Sequence, residues 1–173
     1  RLIALRIAGH TAFDRGDFLA AENAYRSALN LAAPNGDERR QIGDRLAASL
    51  YKQGEQRRQT GDLAGAAAAF LRTARTVPDS AMAATAQFDA AAVLVELQRW
   101  PEAIEALQTF RQQFPGHEQQ AEVTRRLAAT YLAADRNDAA AAEYLQVADA
   151  AATPELRRAA LWQAAELYRG AGQ

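Results

Sequence analysis

Few residues of this 173-residue chain have the type and spacing that catalysis or metal binding requires. The segment His117-Glu118-Gln119-Gln120-Ala121 begins like the zinc protease motif. That motif needs a second histidine one helical turn after the first, where this chain has Ala121. His10 is the only other histidine, and there is no cysteine. Because a zinc site needs about three or four convergent donors, we expect no metal site.

Other short motifs have structural explanations. Arg15-Gly16-Asp17 spells an integrin-binding tripeptide, but Gly61-Asp62 stands at the same place in the second copy of a repeat, which indicates a turn. Gly170-Ala171-Gly172 lacks the lysine and hydroxyl residue of a phosphate-binding loop. No residue pair suggests an activated nucleophile or an acid and base. We therefore expect no enzyme activity and no cofactor.

The clearest pattern is an internal repeat. Four elements of the first copy return 45 positions later: Gly9, Gly16-Asp17, Ala21 and Tyr25 become Gly54, Gly61-Asp62, Ala66 and Phe70. A third copy follows 37 positions after the second, with Trp100, Ala103, Leu107 and Pro115. A fourth is predicted 38 positions further, with Asp138, Ala141 and Leu145. Such periods are typical of a solenoid, in which helical hairpins bury their apolar faces against their neighbours.

These residues resemble the tetratricopeptide repeat over nearly the whole chain. The resemblance implies an all-α, right-handed superhelical solenoid of antiparallel helix pairs with about four and a half repeats. It also implies close helix approach at small residues such as Gly9 and Gly54, with Tyr25 and Phe70 as large knobs between units. We expect a single domain over residues 1–173, with repeats at 2–35, 37–78, 79–116, 117–153 and, in part, 154–173.

Capping residues and apolar periodicity predict nine helices and no strand. The predicted helices are 2–14, 18–33, 38–59, 63–76, 80–98, 101–113, 118–134, 138–151 and 155–169. The first helices of copies two to four, Asp37–Thr60, Asp79–Gln98 and His117–Asp135, are expected to exceed the ~14 residues of the common hairpin helix. Such elongated helices resemble the tetratricopeptide units of bacterial envelope proteins, including outer-membrane assembly lipoproteins and the Tol-Pal-associated periplasmic factor.

The last copy is incomplete. It begins at Thr153-Pro154-Glu155, an N-cap followed by proline at the first helical position. It stops at Gly170-Ala171-Gly172-Gln173, where a second helix should start, and the chain begins with Arg1 rather than methionine. We expect these residues to be a piece of a longer protein.

Composition excludes several functions. Hydrophobic residues make up 49% and charged residues 24%, with a net charge of −1, which gives nucleic-acid binding little support. About a quarter of the residues are alanine, the best helix former. No apolar run approaches the ~20 residues of a membrane span, so we expect no direct membrane insertion by this segment.

In the resembled family, the inner face of each first helix lines a concave groove. Carried over position by position, the predicted partner-binding residues are Arg6, His10, Tyr51, Glu55, Arg58, Phe88, Glu96, Arg126, Trp162 and Arg169. Aromatic residues and arginine dominate interface hot spots, which favours a groove for a protein or peptide segment. The chaperone-tail carboxylate clamp needs Lys and Asn on the inner faces of adjacent first helices. This chain has Arg6 and His10 there in the first repeat, and Tyr51 and Glu55 in the second. We therefore do not expect it to bind an EEVD-type tail.

These features favour a non-catalytic protein-interaction scaffold in a bacterial envelope or multi-protein assembly. One alternative is a regulatory or substrate-recognition arm of a larger enzyme or transcription regulator. Another is a structural module that self-associates through its last helix. The envelope resemblance predicts the periplasm or the periplasmic face of the outer membrane, with the cytoplasm as the alternative.

Overall fold

The computed structural model describes residues 1–170, which contain nine helices and no strand. The helices are α1 Leu2–Asp14, α2 Phe18–Leu29, α3 Asp37–Gln59, α4 Leu63–Thr76, α5 Ala81–Glu96, α6 Trp100–Gln113, α7 Gln120–Ala133, α8 Asn137–Asp149 and α9 Pro154–Gly170. The predicted helix order is confirmed. The largest boundary error is at the end of α2, which stops at Leu29 because the segment up to Pro34 forms turns instead.

The chain divides into two compact units, Arg1–Val93 and Leu94–Gln173. In the first unit, α1 packs on α2, α2 on α3, and α3 on α4. In the second unit, α6 packs on α7, α7 on α8, and α8 on α9. Each unit is thus a chain of neighbouring helices, in which short turns make successive helices antiparallel. The single domain and the right-handed superhelix stay predictions.

A residue with positive φ stands immediately before the second helix of each hairpin. These residues are Gly16 (φ 76°), Gly61 (φ 81°), Gln98 (φ 57°) and Asp135 (φ 56°). Each is followed by the N-cap residue of the next helix, namely Asp17, Asp62, Arg99 and Arg136. The Asp17 carboxylate accepts from the Ala20 N–H at 3.0 Å, and Asp62 accepts from Gly65 at 2.9 Å. The Gly-Asp pairs are therefore turns, as the sequence predicted.

These turns correct the alignment of the fourth copy. Gln98 and Asp135 are 37 positions apart, so Leu107 corresponds to Tyr144 rather than Leu145. Tyr144 is half-buried, whereas Leu145 is 39% exposed. The predicted shift of 38 is wrong by one residue, because consecutive alanines at 139–142 leave the register of this helix ambiguous in sequence.

Two glycines allow aromatic rings to lie against the helix backbone. A Cβ atom built on Gly9 would lie 2.6 Å from the Tyr25 ring, and one on Gly54 would lie 2.5 Å from the Phe70 ring. The predicted close approach is confirmed. Each ring therefore packs inside its own hairpin, a contact that the prediction of large side chains between successive repeats did not include. Tyr25 also belongs to a core cluster that includes Leu46 and Leu50 of α3.

The predicted elongation holds for only part of the chain. α3 has 23 residues and α5 has 16, but α7 has 14 and is not elongated. The α7 helix begins at Gln120 because the residues from Pro115 to Gln119 form turns, in which the Gln119 N–H donates to His117 Nδ1.

The start of the last helix is confirmed. The Thr153 hydroxyl accepts from the Leu156 N–H at 3.3 Å, and Pro154 is the first residue of α9. α9 extends through Gly170. The turn predicted at Gly170-Ala171-Gly172 therefore does not include Gly170, and residues 171–173 lie outside the described residues.

Candidate functional site

The first unit contains a cavity that includes two of the predicted site residues. Its volume is about 360 Å³, and α1, α2 and α3 all contribute to it. The lining residues are Arg6, His10, Tyr25, Gln41, Ile42, Asp44 and Arg45. Helical spacing of four residues places Arg6 and His10 on the same side of α1. The elongated N-terminal part of α3 supplies the opposite wall.

Polar contacts fix the side chains of this cavity. The Tyr25 hydroxyl lies 2.8 Å from His10 Nδ1, with the two rings edge to face. Arg6 forms an ion pair of 2.6 Å with Glu38. Burial raises the pKa of Tyr25, although the Arg45 charge opposes this shift. The hydroxyl therefore stays protonated at neutral pH and can donate to His10.

A second cleft brings together the three residues predicted on α3. It has a volume of about 260 Å³ and is lined by Tyr51, Glu55, Arg58, Gln59 and Phe70. The Tyr51 and Phe70 ring centroids are 5.0 Å apart. Glu55 is also ion-paired with Lys52 at 2.6 Å. The cleft thus combines aromatic surface with both signs of charge.

The Tyr51 hydroxyl is held by α5. It donates to Asp89 Oδ2 at 2.5 Å. Burial raises the pKa of Tyr51, and the hydrogen bond to Asp89 raises it further. Tyr51 is therefore a neutral donor at physiological pH, and its hydroxyl is occupied within the protein. Its ring, and not its hydroxyl, is the part that lines the cleft.

The other predicted residues have more varied surroundings. Phe88 lies half-buried on α5, next to Asp89, and Glu96 is exposed at the end of the same helix. Arg126 of α7 is half-buried and ion-paired with Glu122 at 2.9 Å. In α9, Trp162 is 68% exposed, and Arg169 pairs with Glu166. The structure thus groups Arg6 with His10, and Tyr51 with Glu55 and Arg58.

Sequence reasoning missed several residues around these two cavities. Arg45 and Asp44 lie on the early turns of α3, which precede Gly54 by more than two helical turns and have no counterpart in the common repeat. The predicted length of α3, greater than that of the common hairpin helix, was the sequence signal that could have indicated these extra lining residues. Asp89 is adjacent to the predicted Phe88, but no sequence pattern indicates its contact with Tyr51, which lies 38 positions earlier.

A third cavity lies where one hairpin of the first unit connects to the next. It has a volume of about 650 Å³. The connections after α2 and α4 line it, together with the start of α3. Its residues include Leu29, Pro34, Gly43, Val77 and Pro78. None of the predicted partner-binding residues lies here.

Over residues 1–170, no group of histidine and carboxylate side chains could hold a metal ion. In the same part of the chain, none of the helices has the length and apolar character needed to cross a bilayer.

Solved structures share the architecture at low sequence identity. A tetratricopeptide repeat protein from Parabacteroides merdae is 15% identical, with a TM-score of 0.51, over 98% of this chain and 60% of that protein. BtubC (BKLC) from P. vanneervenii is 20% identical, with a TM-score of 0.52, over 97% and 72%. MamA from Desulfovibrio magneticus RS-1 is 16% identical, with a TM-score of 0.51, over 98% and 92%. These likenesses establish a tetratricopeptide-like solenoid fold.

Sequence comparison identifies the family. No curated protein sequence matches the chain. The model of the YfiO family, described as outer membrane lipoprotein, matches residues 43–169. The match begins within α3 and extends to α9, and so includes residues 43–93 of the first compact unit and most of the second. Because it includes well over half of the residues, the chain belongs to the YfiO outer membrane lipoprotein family.

Proposed function

We propose that this protein is a non-catalytic scaffold whose first unit binds a segment of a partner protein. The binding surface is the cleft of Tyr51, Glu55 and Arg58, and we assign to the same surface the predicted residue Phe88, which precedes Asp89 on α5. The single observation that carries this proposal is that the three predicted α3 residues line one cleft with Phe70. In the second unit, we assign the same role to the predicted residues Arg126, Trp162 and Arg169.

The chemistry of the cleft supports recognition of a peptide segment. The half-buried Tyr51 ring, packed against the buried Phe70 ring, offers a rigid apolar surface that loses little side-chain entropy on binding. Arg58 is exposed and forms no ion pair within residues 1–170. Its guanidinium can therefore donate to carboxylates or backbone carbonyls of a bound segment.

A non-catalytic role agrees with the family and the fold. Tetratricopeptide-like repeats generally serve as protein-interaction scaffolds, and the matching family is described as an outer membrane lipoprotein. The family description supports a location in the bacterial envelope. We propose the periplasmic face of the outer membrane. Fractionation of cells that produce the full-length protein, with antibody detection, tests this location. Recovery in the cytosolic fraction alone would contradict it.

The binding surface is tested by charge reversal. A partner is captured on the purified protein from the native cell envelope, identified, and titrated by calorimetry against the wild type and Arg58→Glu. We expect Arg58→Glu to weaken binding about tenfold or more, with an unchanged melting temperature. Arg75→Glu is the matched control, because Arg75 is exposed on α4 and lies outside the cleft. Equal affinity of both variants would exclude this cleft.

Self-association through α9 is a second candidate function. Leu156, Leu161 and Trp162 are 58%, 42% and 68% exposed on this helix. The adjacent Leu161 and Trp162 offer exposed apolar surface to a second copy of the chain. Light scattering over a range of concentrations should show a dimer that Trp162→Ser abolishes. Leu145→Ser, which removes an exposed leucine outside α9, should leave the dimer intact. A monomeric wild type would exclude this function.

A further inference from the structure

The cavity between α1 and α3 has more hydrogen-bond donors than its own acceptors occupy. Arg45 is exposed, lines the cavity and forms no ion pair within the described residues. Arg6 uses one terminal nitrogen for Glu38, although a guanidinium carries five N–H donors. Both arginines lie close enough to the Tyr25 hydroxyl to influence its ionisation. A cationic rim therefore surrounds a partly enclosed space.

His10 adds a third donor. The Tyr25 hydroxyl shares a hydrogen bond of 2.8 Å with Nδ1. When the hydroxyl is the donor, the imidazole carries its proton on Nε2. No protein group within residues 1–170 hydrogen-bonds to Nε2. In this tautomer the Nε2–H is a donor that a ligand in the cavity can use.

The acceptors near the cavity do not cancel these donors. Glu38 is committed to Arg6. Asp44 also borders the cavity at the hairpin junction and is the only carboxylate among the residues that line the α1–α3 cavity. Asp14 acts on the Tyr25 hydroxyl at longer range but is not part of the lining. Arg6, Arg45 and His10 therefore leave unpaired donors for one anionic group.

We infer that the cavity lined by Arg6, His10 and Arg45 binds a carboxylate of the partner protein, either an Asp or Glu side chain or a C-terminal carboxylate. This inference rests on the proposed function, since the partner supplies the carboxylate. Arg45 provides a planar pair of donors that matches the two carboxylate oxygens, while His10 adds a directional N–H. Arg45 lies on the early turns of α3, outside the inner-face positions that were carried over from the repeat family. The site therefore differs from the chaperone-tail carboxylate clamp, which uses those inner-face positions.

The test uses probes that need no knowledge of the partner. Arginine Nε–H and histidine ring signals are followed by NMR while sodium acetate is added, with sodium chloride at equal ionic strength as the reference. We expect saturable shifts of the Arg45 and His10 signals with acetate only. Arg45→Gln should weaken binding about tenfold or more, whereas Arg75→Gln, at an exposed residue of α4 outside the cavity, should leave it unchanged. Absence of saturation, or equal binding by Arg45→Gln, would overturn the inference.

Two acetylated hexapeptides distinguish the source of the carboxylate. One carries two internal glutamates and a C-terminal amide, and the other is uncharged along its length with a free C-terminus. The uncharged peptide with an amidated C-terminus is the blank. Stronger binding of the first peptide identifies a side-chain site, and stronger binding of the second identifies a C-terminal site. Binding of both no better than the blank would overturn the inference. Because these probes need no partner, the result is independent of whether Arg58→Glu affects partner capture.

Discussion

The Glu22 carboxylate of α2 accepts a hydrogen bond of 3.0 Å from the Arg72 guanidinium of α4, across 50 positions of sequence. Glu22 is only 4% exposed. Gln53 of α3 also donates to it at 2.8 Å, and Arg26 donates from one turn along α2 at 3.0 Å. One carboxylate thus joins three helices of the first unit. The second unit contains a comparable link, between Arg111 of α6 and the buried Glu143 of α8, at 2.8 Å.

The Glu22 network predicts a pH-dependent contribution to stability. Burial alone would raise the pKa of Glu22, but the hydrogen bonds from Gln53 and Arg26 and the Arg72 charge together hold it below its ordinary value of 4.5. A lowered pKa stabilises the fold at pH values above 4.5, and this contribution is lost as the pH falls through the folded-state pKa. Urea unfolding at pH 7 and at successively lower pH should show the loss.

Glu22→Gln tests the assignment. At pH 7 it should cost about 1–3 kcal/mol of unfolding free energy, because Arg72 and Arg26 lose a buried charged acceptor. The difference from the wild type should shrink below pH 4.5. Glu102→Gln is the control, since the Glu102–Arg99 pair is exposed and should contribute little. A pH-independent difference for Glu22→Gln would show that the carboxylate charge is not the cause.

Gly54→Ala should destabilise the second hairpin. The new Cβ would lie 2.5 Å from the Phe70 ring, which has to move, at a cost of about 1–3 kcal/mol. Thermal melts measure the effect. Phe70→Leu in the same chain should recover part of the loss, whereas Gly116→Ala, where no atom lies within 4 Å of the new Cβ, should have little effect. Strictly additive effects of the two substitutions would contradict the direct contact.

Gln98→Gly should stabilise the second unit. Gln98 has a φ of 57°, a conformation that glycine adopts without strain. Relief of this strain should add about 0.5–1 kcal/mol, measured by thermal or urea unfolding. Asp135→Gly should gain less, because aspartate tolerates the left-handed region better. Glu105→Gly, in the exposed middle of α6, should instead cost about 1 kcal/mol. A loss of stability in Gln98→Gly would contradict the assigned turn.

Ala66→Leu and Ala103→Leu should overpack their hairpins. Both alanines are 0% exposed, and insertion of a larger side chain should cost about 1–3 kcal/mol in thermal melts. Ala68 is exposed on the same helix as Ala66, so Ala68→Leu should be nearly neutral. Similar melting temperatures for Ala66→Leu and Ala68→Leu would show that the buried face of α4 is assigned wrongly.

The sequence predicted most of the fold because its signals are local. Caps such as Asp17 and Asp62, and glycines facing aromatic rings, define hairpins without knowledge of distant contacts. The register of α8 could not be obtained in this way, since several consecutive alanines fit the small-residue position equally well. Only the backbone conformation of Asp135 resolves it.

The candidate site was predictable only where it follows the repeat. Tyr51, Glu55 and Arg58 are spaced by four and three residues, which places them on one side of α3, and they line one cleft. Arg45 lies on turns that the common repeat lacks, and Asp89 reaches Tyr51 from another helix. Contacts of this kind depend on how α3 packs against α1 and α5, which helical periodicity does not encode.

Site-specific photo-crosslinking in cells tests the proposed partner surface most directly. A photoreactive phenylalanine analogue replaces Gln59, which lines the cleft, in the full-length protein, or Ala68 on the exposed face of α4 as a control. The proposed function predicts a discrete crosslinked partner from position 59 and none from position 68, with an acidic peptide segment at the crosslinked site. Crosslinks from position 68 but not from position 59 would contradict it.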